Sequence, residues 1–158
     1  MTVKHSMRLG VISDTHGLLR PQAVESLRGC DALLHAGDVG SPQVLDALRA
    51  LAPVTAVRGN NDTDRWAHDL AEAVTIELLG VHIHLLHDIK KLALDPVAER
   101  LNVVVSGHSH CPTMERRAGV LYFNPGSAGP RRFKLPVAIG ILEISSGRVD
   151  GRIIEIGV

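Results

Sequence analysis

Residues 8–17 read RLGVISDTHG, an apolar run that ends abruptly in a polar turn. The first six residues have the length and composition of one buried strand. The same pattern returns at residues 31–36, DALLHA, which run into Gly-Asp, and at residues 54–58, VTAVR, which run into GNND. Between these runs lie two amphipathic stretches that open with Pro21 and Pro42, and proline suits the first turn of a helix. Strands that alternate with helices in this way predict an α/β fold with parallel strands covered by helices.

The second half of the chain predicts shorter and more numerous strands. Residues 74–87, VTIELLGVHIHLLH, indicate a hairpin that turns near Gly80, and residues 95–101, DPVAERL, indicate a short helix. Residues 102–106, NVVVS, indicate a buried strand that runs into GHSH. Further strands are expected near TMERR and GVLYFN, and a C-terminal β-hairpin in the tail PVAIGILEISSGRVDGRIIEI. With no linker or repeat, the chain is expected to form a single domain over residues 1–158.

The composition argues against several classes of protein. Lys plus Arg and Asp plus Glu both number 17, so the formal net charge is zero, which disfavours a nucleic-acid partner. No apolar run reaches the ~18 residues of a membrane span, and the apolar stretch near the N-terminus is too short for a signal peptide. Cys30 and Cys111 form no metal or disulfide framework, so we expect free thiols and a cytoplasmic protein. The composition leaves open whether the chain forms a homo-oligomer.

Polar side chains follow five of the predicted strands. In an open α/β sheet, ligands bind outside the carboxyl ends of the strands, so these side chains are expected to converge. Carboxylates, an amide and imidazoles are the ligand types of Mn, Fe, Co, Ni or Zn. Seven such groups exceed the needs of one tetrahedral ion and suit two ions about 3.5–4 Å apart. The candidate ligands are Asp14, His16, Asp38, Asn60, His87, His108 and His110.

Each of these motifs has an ordinary structural alternative. A lone Asp-x-His or GNND after a strand is more often a turn, and Gly-Asp alone carries almost no information. A histidine in HIHLLH is as compatible with a satisfied core group as with a ligand. The motifs occur together at successive strand ends of one short chain, and this joint occurrence favours a metal centre over a set of accidental turns.

At these residues the chain resembles the calcineurin-like metallophosphoesterases, whose pattern is D-x-H, G-D, G-N-[HC]-[DE], H and G-H-x-H. The matching positions are Asp14-Thr15-His16, Gly37-Asp38, Gly59-Asn60-Asn61-Asp62, His87 and Gly107-His108-Ser109-His110. The size, the opening SDTHG and the later NPGS are similar to the small YfcE-type phosphodiesterase subgroup. The resemblance implies a four-layer α/β/β/α sandwich, the metallophosphoesterase fold, with a dimetal site at one end of the sheets.

The resemblance also implies an activity, that of a metal-dependent phosphodiesterase, a phosphoric ester hydrolase in which a hydroxide between two ions attacks phosphorus. One ion would take Asp14, His16, His110 and a shared Asp38, and the other Asp38, Asn60, His87 and His108. Roles in catalysis are implied for Asp38, Asn60, Asn61 and His108. Mn²⁺ is the favoured ion, with Ni, Co, Fe or Zn open. A formal charge count over two ions, two carboxylates and a hydroxide leaves one positive charge, which a small phosphodiester monoanion would neutralise.

Two positions depart from the family pattern. Asn61 stands where many members have a histidine that is thought to protonate the leaving group, and where the YfcE-type subgroup often has cysteine. Because asparagine cannot act as a general acid, we expect slow activity or a bias toward acidic leaving groups such as phenols. Asp88 stands where glycine often follows the ligand histidine.

Several neighbouring residues receive weaker predictions. Asp62 and Asn124 are expected to fix the tautomers of ligand imidazoles. Cys111 is expected to be a small core residue rather than a redox-sensitive thiol or a ligand, and Trp66 to pack in the core rather than form a flap over the site. Residues 130–134, PRRFK, either steer anionic substrates or form a solvated hairpin.

Two rival functions stay open at this point. The retromer scaffold subunit shares the fold and uses it mainly for protein contacts. Asn61 fits such a site, which is no longer under selection for catalysis. A DNA-processing nuclease is disfavoured by the short chain and the zero net charge.

Overall fold

The computed structural model describes residues 5–157, which contain ten strands, two α-helices and two 3-10 helices. The strands in chain order are β1 (Ser6–Ile12), β2 (Ala32–His35), β3 (Val54–Ala56), β4 (Ala73–Leu78), β5 (Val81–Leu86), β6 (Val103–Val105), β7 (Thr113–Arg117), β8 (Val120–Asn124), β9 (Ala138–Ser145) and β10 (Arg148–Glu155). The helices are α1 (Pro21–Leu27) and α2 (Pro42–Arg49), with 3-10 turns at Arg65–Asp69 and Ile89–Lys91. The ends of the expected domain, residues 1–4 and 158, lie outside the described residues.

The first sheet carries the predicted β-α-β-α-β unit. Its strand order is β10-β9-β1-β2-β3, and β1 pairs in parallel with β2, with Val11 opposite Leu34. β2 pairs in parallel with β3, so the carboxyl ends of the three strands lie at one edge. The predicted C-terminal hairpin is confirmed: β9 and β10 are antiparallel and turn at Ser146 and Gly147, both at positive φ. Two left-handed residues suit the twist of a two-residue hairpin loop.

The second sheet has the strand order β4-β5-β6-β8-β7. The predicted hairpin of β4 and β5 is antiparallel, while β5, β6 and β8 run parallel. The carboxyl ends of these parallel strands therefore also lie at one edge of their sheet. Both predicted proline-led helices form, with Pro21 and Pro42 in their first turns. Ser41 is the N-cap residue of α2, although its side chain forms no capping hydrogen bond.

The two sheets pack face to face and enclose the central hydrophobic core. Phe123 of β8, almost fully buried, projects against Gly140 of β9 and Gly151 of β10, where a β-carbon would collide with its ring. On the far side of the first sheet, α1 and α2 cover a second cluster with Leu27 and Leu48. The layered two-sheet fold expected from the family resemblance is confirmed.

The outer face of the second sheet is covered by turns, and the short helix predicted over residues 95–101 is wrong. The Asp95 carboxylate accepts hydrogen bonds from the N–H groups of Val97 and Ala98. The chain then closes with a bond from the Leu101 N–H to the Pro96 carbonyl. A single isolated turn gains too few hydrogen bonds to propagate as an α-helix, and it ends at Arg100, whose backbone is in the left-handed conformation.

Among residues 5–157 no helix is long and apolar enough to cross a membrane.

Candidate metal centre

The carboxyl ends of the parallel strands from both sheets meet at one end of the sandwich. Asp14 and His16 follow β1, Asp38 follows β2 and Asn60 follows β3. The second sheet contributes His87 after β5, and His108 and His110 after β6. Interatomic distances show that all seven predicted ligand residues lie together, in two adjoining clusters.

The first cluster surrounds one oxygen of Asp14. Its Oδ1 atom lies 3.3 Å from His110 Nε2 and 3.9 Å from His16 Nε2. His16 Nε2 in turn lies 3.7 Å from Asp38 Oδ2. Ligand atoms of Asp14, His16 and His110 all lie within 4.8 Å of one another, a spacing that a single metal ion can bridge.

The second cluster surrounds Asn60. Its Oδ1 atom lies 2.9 Å from His87 Nε2 and 3.2 Å from His108 Nδ1. Those two ring nitrogens lie 3.2 Å apart, and His87 Nε2 lies 3.3 Å from Asp38 Oδ2. Asp38 Oδ2 thus faces both clusters, as expected for a carboxylate shared by two ions.

Several polar atoms of the first cluster have no hydrogen-bond partner within the described part of the chain: Asp14 Oδ1, His16 Nε2 and His110 Nδ1. The other Asp14 oxygen is satisfied, because it accepts from the Ser13 hydroxyl at 2.6 Å and from the His108 N–H at 3.1 Å. Leaving buried polar atoms unpaired costs about 1–3 kcal/mol each. A divalent cation between Asp14 Oδ1 and His16 Nε2 would satisfy both, so the donor set fits a metal.

The tautomer of His87 also suits a ligand. Its Nδ1 atom lies 2.7 Å from the Ala36 carbonyl oxygen, which can only accept, so Nδ1 carries the proton. The lone pair of the neutral ring is then on Nε2, the atom that faces Asn60 and Asp38. A backbone carbonyl orienting a histidine in this way is typical of metal sites.

The backbone is strained at several of the predicted ligand residues. Positive φ angles are uncommon for residues other than glycine and cluster at functional sites. Hydrogen bonds from the Asp14 N–H to the Gly37 carbonyl and from the His16 N–H to the Asp38 carbonyl hold two of these turns together. The predicted ligand residues in this left-handed conformation are Asp14, His16, Asp38, His108 and His110.

Two glycines allow the loops to approach each other at the site. A β-carbon at Gly59 would collide with the Asp38 side chain and backbone, and one at Gly107 would collide with the Ser13 hydroxyl and with Asp14 Oδ2. Any larger residue at either position would push a carboxylate away from its cluster.

The electrostatics of the second cluster couple Asp38 to His87. Burial opposes ionisation of Asp38, but hydrogen bonding to His87 and to the Asn61 N–H outweighs it and lowers the pKa of Asp38 to about 2. Burial likewise disfavours protonation of His87, but the Asp38 and Asp14 carboxylates outweigh it and raise the pKa of His87. Asp38 is therefore an anion at neutral pH, as a metal ligand must be.

His110 in the first cluster has the opposite shift. Burial lowers the pKa of His110, Asp14 opposes this, and the positive charge of Arg132 adds to it. Arg132 belongs to the exposed segment 130–134, so this segment lies close enough to the site for its charge to act there.

His35 supports the site, although none of the sequence motifs predicted a role for it. It is fully buried at the end of β2, accepts from the Gly37 N–H through Nδ1 at 3.1 Å, and contacts the Thr15 hydroxyl through Nε2 at 2.9 Å. Thr15 donates onward to the Val39 carbonyl at 2.8 Å. Burial, and then the neighbouring His87, lower the pKa of His35 to about 3, so it stays neutral. A histidine inside an apolar strand directly before Gly-Asp was the available signal.

The predicted roles of Asp62 and Asn124 in orienting imidazoles are wrong. Asp62 accepts from the backbone N–H groups of Val39, Gly40 and Gly59, and so ties the loop after β2 to the turn after β3. Asn124 donates to the Gly107 carbonyl at 2.9 Å and to the Ser109 hydroxyl at 3.1 Å. Both shape the loops that carry ligands rather than the ligands themselves.

The two positions that depart from the family pattern both contact the site. Asn61 donates to Asp38 twice, from its backbone N–H to Oδ1 at 2.9 Å and from its side-chain amide to Oδ2 at 3.1 Å. Asp88 Oδ2 lies 3.9 Å from His108 Nε2, on the ring edge opposite the nitrogen that faces Asn60.

Of the remaining predictions, the one for Cys111 is wrong and the one for Trp66 is confirmed. Cys111 is exposed, because it follows the turn of Ser109 and precedes Pro112 on the outside of the loop. Trp66 is partly buried and packs against the cluster beneath the helices.

Comparisons with known proteins agree with this geometry. The family model of the calcineurin-like phosphoesterase superfamily domain matches residues 7–147. A probable metallophosphoesterase of Methanothermobacter thermautotrophicus is 32% identical over 163 positions, covering 96% of this chain and 94% of the relative. The phosphodiesterase YfcE of Escherichia coli is 27% identical over 167 positions, covering 87% and 88%. The structure of vacuolar protein sorting 29 of Cryptosporidium parvum is similar with a TM-score of 0.77, covering 98% of this chain and 100% of that one, and its 18% identity shows a shared fold alone.

Proposed function

The chain belongs to the calcineurin-like phosphoesterase superfamily, and from that membership and the site geometry we propose that it is a metal-dependent phosphodiesterase acting on small diesters. The proposal rests chiefly on one observation, the position of Asp38 Oδ2 between two clusters, 3.7 Å from His16 Nε2 and 3.3 Å from His87 Nε2.

We assign the ligands in two sets that share this carboxylate. Two divalent ions bound there would supply an activated water as nucleophile and Lewis acidity toward the phosphate oxygens. Imidazole and carboxylate ligands without thiolate are compatible with Mn, Ni, Co, Fe or Zn, and of these we propose Mn²⁺ first, from the family membership. The first set is Asp14, His16, Asp38 and His110, and the second is Asp38, Asn60, His87 and His108.

The residues around the ligands hold them in place for this chemistry. The Ala36 carbonyl orients His87, and the Asn61 N–H groups orient Asp38. Asn61 offers a hydrogen bond but no transferable proton, so the chain has no general acid at this position. The proposed substrates are therefore diesters whose leaving group departs without protonation, such as phenolic diesters.

The test is hydrolysis of bis-p-nitrophenyl phosphate by protein loaded with Mn²⁺, with Ni²⁺ and Co²⁺ as further arms. We expect turnover that EDTA abolishes, and about two ions per chain by metal analysis. Asp38→Asn should reduce turnover at least about 100-fold, because it removes the shared anion. Asp46→Asn, at a matched exposed carboxylate that pairs with Arg49 on α2, should leave turnover unchanged.

A folded protein that shows no turnover with any of the three metals would contradict the proposal. The same metal analysis addresses the scaffold alternative, since a chain that binds no ion after supplementation fits a protein-binding module. Retention of DNA at about 0.15 M salt would instead support a nuclease, which the zero net charge disfavours.

A further inference from the structure

A cavity of about 260 Å³ opens beside the second metal cluster. It adjoins Asn60 and His87, and its apolar wall is formed by Ala73, Leu86 and Ala93. We call this cavity, defined by these five residues, the side pocket. Resting on the proposed function, we propose that the side pocket binds one ester group of the substrate, and that this group is an uncharged aromatic or heteroaromatic ring.

The position of the side pocket makes it continuous with the phosphate site. Asn60 and His87 belong to both, through Asn60 Oδ1 and His87 Nε2 at the metal cluster and through their flanks in the pocket wall. A phosphate held at the clusters would therefore direct one of its substituents into the side pocket without a linker. Its volume is just below the range of about 300–1,000 Å³ for drug-sized ligands, which suits one compact group rather than a polymer.

The charges around the side pocket sum to zero and offer a further anionic group no net attraction. Arg58 and Lys91 line it together with Glu72 and Asp88, so two positive and two negative side chains balance. Arg58 Nη2 lies 3.1 Å from Glu72 Oε1, so the guanidinium already has an anionic partner. A second phosphate would also meet Asp88, whereas an uncharged ring meets no repulsion.

The lining suits a flat ring in particular. Ala73 and Ala93 leave space above the buried side chain of Leu86, and an aromatic face buries well against such a surface. The guanidinium of Arg58, held by Glu72, is a planar cation of the kind that stacks on aromatic rings. The substrate class is thus a diester with an aryl or nucleoside group.

Binding of phosphonates to the Mn²⁺-loaded protein, measured by calorimetry, tests the proposal without turnover. Phenylphosphonate and methylphosphonate carry the same anionic group and differ in the ring. We expect phenylphosphonate to bind roughly tenfold or more tightly, because only its ring is buried in the side pocket. Adenosine 5′-monophosphate against ribose 5-phosphate repeats the comparison for a nucleoside.

Ala73→Trp fills the side pocket from β4 and replaces no proposed ligand. This variant should abolish the advantage of phenylphosphonate over methylphosphonate. Ala93→Trp fills it from the other wall and gives the same test if Ala73→Trp does not fold. Ala50→Trp, at the exposed C-terminal end of α2, is the matched control and should keep the advantage.

The outcomes separate this proposal from the proposed function. If methylphosphonate binds but neither the phenyl ring nor the adenine ring increases affinity, the side-pocket proposal alone is overturned. A ring gain that survives both pocket variants also overturns it, because the ring then binds elsewhere. If neither methylphosphonate nor phenylphosphonate binds the metal-loaded protein, the proposed function fails and the side-pocket proposal fails with it. If adenosine 5′-monophosphate binds more tightly than ribose 5-phosphate and Ala73→Trp removes this difference, the group bound in the side pocket is a nucleoside. If only phenylphosphonate binds more tightly than its ring-free counterpart, the group is an aryl ring.

Discussion

At the scale of single residues, Asn61 has two consequences for the site. Its amide donates to Asp38 Oδ2, the oxygen that faces both clusters, and so helps to keep that carboxylate oriented. The same amide has no proton to give to a leaving group. Asn61 therefore supports the metal site while limiting the chemistry proposed for it.

Replacing Asn61 with histidine should restore a general acid. The gain in kcat/KM should be at least about tenfold larger for an alkyl diester than for bis-p-nitrophenyl phosphate, because only the poorer leaving group needs the proton. Rates are measured with Mn²⁺, by nitrophenol release or by phosphorus NMR. Asn61→Ala, which loses the hydrogen bond to Asp38 and adds no acid, is the control. Equal gains on both substrates would show that the histidine acts in another way.

His35 is a second residue whose effect can be isolated. It lies between the loops that carry Asp14 and Asp38, bonded to Thr15 and to the Gly37 N–H. Burial lowers the pKa of His35 from 6.5 to about 3. Between these two pH values the unfolded chain binds a proton at His35 and the folded protein does not. The free energy of unfolding therefore falls as the pH drops from about 6.5 toward about 3.

Substituting His35 with asparagine removes this titration and keeps an acceptor for the Gly37 N–H. Between pH 7.5 and pH 5 the parent should lose about 2 kcal/mol more of its free energy of unfolding than His35→Asn does, at about 1.4 kcal/mol per pH unit below 6.5. Urea denaturation of the metal-free proteins, followed by circular dichroism, measures the difference. Parallel losses in parent and variant would contradict the assigned pKa of His35.

At the scale of elements, the packing of the two sheets depends on one aromatic side chain and two glycines. Phe123 of β8 occupies the space that Gly140 of β9 and Gly151 of β10 leave free. Both glycines lie in strand interiors, where glycine ordinarily weakens a sheet. Their lack of a side chain allows the ring to lie between the sheets, so the local cost is offset by the packing of the core.

Gly140→Ala should destabilise the fold by about 1–3 kcal/mol, because the new methyl group overlaps the Phe123 ring in a closely packed core. Phe123→Leu in the same chain should relieve the overlap, so the double variant should cost less than the sum of the two single variants. Chemical denaturation of the four proteins gives the coupling free energy. Gly157→Ala, at a position with no atom within 4 Å of the added carbon, is the control and should cost almost nothing. If the free-energy costs of Gly140→Ala and Phe123→Leu are additive in the double variant, the strain does not come from overlap with the Phe123 ring.

At the scale of the whole molecule, the site exists only because the two sheets pack face to face with the carboxyl ends of their parallel strands at the same end of the sandwich. The first sheet supplies Asp14, His16, Asp38 and Asn60, and the second supplies His87, His108 and His110. A metal ion held between them should bind the folded chain and not the unfolded one. Metal binding is therefore expected to stabilise the entire fold.

Mn²⁺ at about 100 times its dissociation constant should raise the unfolding free energy by about 2.7 kcal/mol per site. For a domain of this size that corresponds to several degrees in Tm, measured by calorimetry with and without EDTA. The rise should be larger at pH 8 than at pH 6, because the raised pKa of His87 makes protons compete for its imidazole. Asp38→Asn should lose most of the rise, and Asp46→Asn should keep it. A rise that is identical in Asp38→Asn would place the metal elsewhere.

The chain's local patterns were enough for the order and type of most elements and for the candidate ligands. Apolar runs of strand length followed by DTH, GD, GNND and GHSH mark the strand ends, and parallel pairing then brings those ends to one edge. The turn at residues 95–101 departs from its helical pattern because a single turn gains too few hydrogen bonds to propagate, and the left-handed backbone at Arg100 ends it.

The tertiary structure was needed for everything that depends on atoms from distant segments. The left-handed backbone at Asp14 and His108, the buried His35 network, the bonds of Asp62 to backbone N–H groups and the side pocket all arise from loops packed against one another. Residue type and spacing determine which groups can reach a strand end. Their orientation, their burial and the space left beside them depend on contacts across the two sheets, and no local stretch of the chain specifies those contacts.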